Sequence, residues 1–226
     1  MRPLSFLGQD VVVAQGPIPP HPLPLFPEEA ACIVRAIPKR RREFAAGRWY
    51  ARRALAQLGV PAAPLLPGPD RAPRWPAGVV GSIAHSDTIC IAAVAWRERV
   101  QALGVDAEPW QPLDAELWPL IGTPCELGWL MRQPPRLRGY LARALFSAKE
   151  ATYKCQYPLT GAPLDFPDLE VALDPPGGRF TVTFRRSPDA GFPAGASLCG
   201  ALLVHAGHIV TGLVLRPGAV PPPTTS

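Results

Sequence analysis

No stretch of this sequence approaches the roughly 18 consecutive apolar residues that a membrane-spanning helix needs. The N-terminus has Arg2 but no continuous apolar run before Asp10, so a secretory leader is not expected either. The five cysteines, Cys32, Cys90, Cys125, Cys155 and Cys199, are odd in number and widely spaced, with no Cys-x-x-Cys pair and no Cys/His zinc spacing. They read as buried thiols in a reducing compartment, and a cytoplasmic location is expected. No Gly-x-Ser-x-Gly elbow marks a hydrolase, no recognised nucleic-acid motif is present, and no segment repeats literally.

What is abundant is proline, 31 of 226 residues, against an average share of about 5%. The prolines fall mostly in connections, which suggests short elements joined by stiff loops. With 47% hydrophobic residues the chain can bury a core, so global disorder is unexpected. The net charge of +5 points to anionic partners. Its distribution is sharper: Lys39, Arg40, Arg41, Arg42, Arg48, Arg52 and Arg53 fall within fifteen residues, where Glu43 is the only acid.

The pattern predicts a helix from Pro27 to about Ile37, a second from about Lys39 to Leu58, and strands over Val79–His85, Thr88–Ala95 and Gln101–Glu108. An irregular acidic segment follows, then a helix from about Leu137 to Cys155. Strands over Leu169–Leu173, Arg179–Arg185, Ser197–Val204 and His208–Leu215 form two hairpins. That order suggests an α+β fold of two halves, residues 1–110 and 111–216, with a disordered Pro-rich tail over 217–226.

Four places could carry chemistry. Asp106 and Glu108 alternate at a strand end, so both carboxylates point to one face. Acids that close repel unless a cation or proton intervenes, and hard cations such as Mg²⁺ take oxygen ligands; an exposed polar strand end would look the same. Ser82, His85 and Ser86 sit where a strand enters a turn, and could hold a phosphate or simply cap the turn. The basic face around Arg40 and Arg48 could grip phosphate, nucleic acid, or only water. Glu150 stands four residues before Lys154, an ordinary helix-surface ion pair worth about 0.2–0.5 kcal/mol when taken alone.

In combination these pieces are specific. Lys-Arg-Arg-x-Glu-Phe-x-x-Gly-Arg (39–48), Trp-Pro-x-Gly-x-x-Gly-Ser-Ile-x-His-Ser (75–86), Gly-Val-Asp-x-Glu (104–108) and Phe-Ser-x-Lys-Glu-x-x-Tyr-Lys (146–154) occur in this order. The set resembles the 4′-phosphopantetheinyl transferases that serve siderophore and other nonribosomal peptide synthetases, of the enterobactin-synthetase component D group. The resemblance covers about half the chain.

It implies a pseudo-dimer of two similar α+β subdomains, each a small antiparallel sheet packed with helices. Coenzyme A and Mg²⁺ (or Mn²⁺) would lie in the cleft between them. The implied reaction moves phosphopantetheine from coenzyme A to a serine of an apo acyl or peptidyl carrier protein. Asp106, Glu108 and Glu150 would bind the metal, Glu150 would accept the serine proton, and Lys154 would approach the phosphates. Arg40, Arg48 and His85 would hold the 3′-phosphate, with Arg71 a further candidate. Ser82 and Ser86 would contact the nucleotide or pyrophosphate, and Phe146 and Tyr153 would border the pantetheine channel. A monomer is expected, with no nucleic-acid or membrane partner. The alternative is a coenzyme A- or nucleic-acid-binding protein without transferase activity.

Overall fold

The computed structural model describes residues 6–189 and 191–218. Two antiparallel sheets organise the chain. The first has the order β1-β3-β2, built from β1 (Val12–Pro17), β2 (Val79–His85) and β3 (Ile89–Trp96). The second has the order β4-β8-β7-β6-β5, from β4 (Ala102–Pro109), β5 (Leu169–Asp174), β6 (Arg179–Phe184), β7 (Ser197–His205) and β8 (His208–Leu215).

β3 reads Ile-Cys-Ile-Ala-Ala-Val-Ala-Trp, and every residue but the last is buried. Such a continuous apolar run is required of a strand covered on both faces. One face packs on the helix α2 (Pro38–Gln57) through Ala46, Tyr50, Ala51, Ala54 and Leu55. The other meets Val105, Ala107 and Val210 of the second sheet. A third cluster joins α5 (Pro135–Thr160) to the inner face of β5–β8, through residues including Leu145, Ala148, Phe180 and Val182. The long helix ends where Gly161 takes a left-handed conformation, φ 64°.

Several expectations are corrected. The first helix, α1 (Pro27–Ala31), stops six residues short of Ile37. Beyond it the amides of Cys32 and Ile33 bond three residues back, to Glu29 O and Ala30 O, and Arg41 caps the turn by donating to Val34 O and Ala36 O. The irregular acidic segment holds two helices, α3 (Trp118–Ile121) and α4 (Pro124–Arg132). β1 has no counterpart among the expected strands. β4 pairs with β8 along its whole length, so the change of sheet falls between Trp96 and Ala102 rather than at residue 110. Of the cysteines only Cys90 and Cys155 are buried; Cys32, Cys125 and Cys199 are exposed free thiols. The tail expected over 217–226 lies largely outside the described residues. Among those described, no helix is long and apolar enough to cross a membrane.

Candidate active site

The end of β4 meets the middle of α5, and Gly104 makes the meeting possible. A side-chain carbon there would collide with the backbone of Ala151 and Cys155. Two residues on, Asp106 is buried and held from two elements. Its Oδ1 accepts from Lys154 Nζ at 2.6 Å and its Oδ2 from Ser147 Oγ at 2.8 Å. Thr211, directly opposite Asp106 in β8, donates its hydroxyl to the Ser147 carbonyl at 2.9 Å. Lys154 therefore spends its charge across the strand–helix seam on Asp106, and not on Glu150 one turn before it.

Glu108 pairs with Arg143 Nη1 at 2.9 Å. Burial and the neighbouring Asp106 push its carboxyl above the usual range, with Arg143 opposing. Burial also raises the Glu150 carboxyl; Lys154 pulls it down and Asp106 pushes it up, and the net shift is upward. For Lys154 burial works against the charged form, yet Asp106, Glu150 and Glu108 outweigh it and hold the ammonium above its ordinary value. Asp106 thus acts on both Glu108 and Glu150, and two of the three carboxylates are closed by cations.

The basic rim lies beside them. Arg40 Nη1 donates to His85 Nε2 at 3.2 Å, which makes that nitrogen an acceptor and the ring neutral. Burial lowers the His85 ring, as do Arg40 and Lys154, while Glu43 and Asp106 oppose. Arg48 is buried: its Nε donates to Leu65 O at 2.8 Å and its guanidinium lies 4.0 Å from the Phe44 ring centroid. Burial drags its pKa down to about 10. Ser82 Oγ accepts from Val105 N at 3.1 Å and so ties β2 to β4. Ser86 Oγ accepts from Thr88 N at 3.5 Å within its turn.

A cavity of about 660 Å³ opens between the loop Gly68–Trp75, residues Val80–Ile83 of β2, and Tyr153, Lys154 and Tyr157 of α5. Arg71, Ser82 and Lys154 therefore share one hollow. Arg40, Arg48, His85 and Ser86 line no part of it, and Lys154 is the residue common to the cavity and the acids. Tyr153 borders the cavity, whereas Phe146 packs on the core with its ring 5.3 Å from that of Phe166. Sequence reasoning missed Arg143, although it stands two helical turns before Glu150 on the same face. It also missed Ser147 and Thr211 as supports for Asp106; Thr211 carries no sequence signal, since only strand register brings it to that carboxylate.

A carboxylate cluster at the β4–α5 seam, with guanidinium groups beside it and Lys154 linking it to the cavity, suits a class of protein that handles an anionic, phosphate-bearing ligand. The comparisons give that class its family. Residues 28–95 match the family model for the 4′-phosphopantetheinyl transferase N-terminal domain, and residues 102–198 match the 4′-phosphopantetheinyl transferase superfamily. The chain is 49% identical over 158 residues to the 4′-phosphopantetheinyl transferase Svp of Streptomyces mobaraensis, covering 70% of this chain and 64% of that protein. It is 40% identical over 203 residues to the 4′-phosphopantetheinyl transferase PptT of Mycobacterium tuberculosis, covering 87% and 88% respectively. To the enterobactin synthase component D of Salmonella typhi it is 42% identical over 119 residues, about half of each chain. The aligned part of this chain thus spans just under two thirds of the Streptomyces relative and most of the mycobacterial one. The chain belongs to the 4′-phosphopantetheinyl transferase family.

Proposed function

We propose that the protein transfers 4′-phosphopantetheine from coenzyme A to a serine hydroxyl of an apo acyl or peptidyl carrier protein, releasing 3′,5′-ADP. The observation that carries this reading is the cluster at the β4–α5 seam. Asp106, Glu108, Glu150 and Lys154 meet there beside the basic rim, and Lys154 also lines the cavity. Arg40, Arg48 and His85 bind the 3′-phosphate, Ser82, Ser86 and Arg71 take the remaining nucleotide and pyrophosphate contacts, and the pantetheine arm enters beside Tyr153.

The carrier serine oxygen bonds to the β-phosphorus as the anhydride bond to 3′,5′-ADP breaks. Glu150, whose carboxyl burial raises and which stands in no ion pair among the described residues, takes the serine proton directly or through one water. Lys154 offsets the charge that collects on the departing ADP. A transfer of this kind needs position and charge more than a nucleophilic side chain.

Asp106, Glu108 and Glu150 offer the all-oxygen donor set that Mg²⁺ or Mn²⁺ prefers; burial first, and Asp106 after it, disfavours the ionised Glu108 and Glu150, a cost that a bound cation would offset. Among the described residues no three such groups already stand as a metal cluster, so Lys154 and Arg143 must yield their partners when an ion binds. Bound there, the ion would neutralise charge on the pyrophosphate.

The test is incubation with coenzyme A, Mg²⁺ and a panel of apo carrier domains, followed by mass measurement with and without chelator. A gain of one phosphopantetheine that chelation abolishes is expected; no gain on any carrier overturns the reading. A cytoplasmic monomer that binds neither nucleic acid nor membrane completes the proposal.

A further inference from the structure

The tip of the β7–β8 hairpin lies beyond both family-model matches, which end at residues 95 and 198. Ala206 and Gly207 turn it with φ values of 49° and 75°, the signature of a tight two-residue hairpin. From that turn it touches three other segments. Gly207 O accepts from Trp110 N at 2.8 Å, just past the strand that carries Glu108. His205 Nε2 lies 3.1 Å from Gln15 Nε2 in β1. His208 Nε2 lies 3.0 Å from Thr88 Oγ1, in the turn that follows His85 and Ser86.

The His208 ring is fixed at both ends. A carbonyl only accepts, so Nδ1 carries the proton that it donates to Ala206 O at 2.8 Å. In the neutral ring Nε2 then accepts from the Thr88 hydroxyl. Thr88 passes the constraint on, because its amide donates to Ser86 Oγ. The other side-chain tie on this turn is the Lys39–Asp87 pair at 2.6 Å, whose side chains are 56% and 72% exposed and which solvent and salt screen. His208 is 8% exposed and is spared that screening.

We propose that His208 is a positioning residue. Acting through Thr88, it sets where His85 and Ser86 stand and so tunes affinity for the 3′-phosphate of coenzyme A. The inference rests on the phosphate-binding reading of that turn. It makes the C-terminal hairpin a contributor to a subsite built from the N-terminal sheet.

The experiment is calorimetric binding of coenzyme A and of 3′-dephospho-coenzyme A to the full chain, with a melting curve for each variant. His208→Phe keeps a ring but removes the acceptor, His208→Gln restores an acceptor, and Thr88→Val removes the donor at an exposed position. Loss of one neutral hydrogen bond weakens a site by about fivefold. Coenzyme A binding is therefore expected to weaken by about that factor in His208→Phe and in Thr88→Val. The double variant should be no worse than either single one, and His208→Gln should recover most of the loss. Binding of the dephospho ligand should stay unchanged. Unaltered coenzyme A binding, additive losses, or equal weakening toward both ligands overturns the proposal. If the unsubstituted chain itself fails to distinguish the two ligands, the 3′-phosphate assignment of the turn falls, and His208 with it.

Discussion

Gly104→Ala adds a single carbon at the point where β4 lies on α5. That carbon would overlap the Ala151 carbonyl oxygen and stand 2.7 Å from Cys155 N. Restoring ordinary contact to Cys155 alone needs about 0.7 Å of separation, and clearing the Ala151 oxygen needs about twice that. Both obstacles are helix backbone, so no side chain can swing aside. Lys154 and Asp106 are 2.6 Å apart, and a shift of more than about 1 Å takes them beyond hydrogen-bonding reach. Overpacking of this kind costs about 1–3 kcal/mol, occasionally more, which for a domain of this size lowers the melting temperature by roughly 2–12 °C. Misplacing catalytic groups by about 1 Å costs on the order of 100-fold in rate. Melting curves and carrier modification followed by mass should show a folded, weakened protein with turnover down by about that factor. A Gly104→Ala variant that melted and turned over like the parent chain would refute the tight strand–helix seam, and with it the way the site is assembled.

Glu150→Gln should abolish turnover and raise stability at neutral pH. The folded Glu150 carboxyl titrates above its unfolded value, so between the two values the folded state holds more protons and stability declines as pH rises through that window. Glutamine removes the cost of the ionised form above it; a lower melting temperature with turnover intact would return Glu150 to a structural role. Arg48→Ala should weaken coenzyme A binding by about 1–3 kcal/mol in calorimetry, and unchanged affinity would put the 3′-phosphate elsewhere. Lys149 is buried and donates to Glu126 at 2.7 Å, Ile121 O and Phe166 O. Lys149→Met strands Glu126 in the interior and should cost about 3–5 kcal/mol in denaturant unfolding; a loss under about 1 kcal/mol would show that the pair adds little.

Local pattern was a good guide wherever the deciding forces are local. β2 and β8 fall at the expected residues because flanking turns bound an alternating run in the first and a largely apolar run in the second. α5 extends past its expected limits, since Pro135 suits a first turn and Pro158 is tolerated near the end. β4 was read as a strand of the first half, whereas its hydrogen bonds run to β8 of the second sheet; that partner lies about a hundred residues away and no local signal encodes the choice. The acids, the basic helix and Lys154 were legible through their spacing. What closes on them was not: Lys154 turns to Asp106, Arg143 to Glu108, and Thr211 to Ser147. Each of those partners is chosen by tertiary register.

β4 belongs by hydrogen bonds to the second sheet, yet it is packed against the first through Val105 and Ala107 and bonded to it at Ser82. For anyone cutting the chain in two, this makes neighbouring positions unequal. A break between Trp96 and Ala102 leaves both sheets with all their strands. A break near residue 110 carries β4 away with the wrong fragment, leaves β8 as a bare edge open to pairing with other chains, and parts Asp106 from Thr211. Reassembly from separate pieces should therefore succeed at the first cut and fail by aggregation at the second.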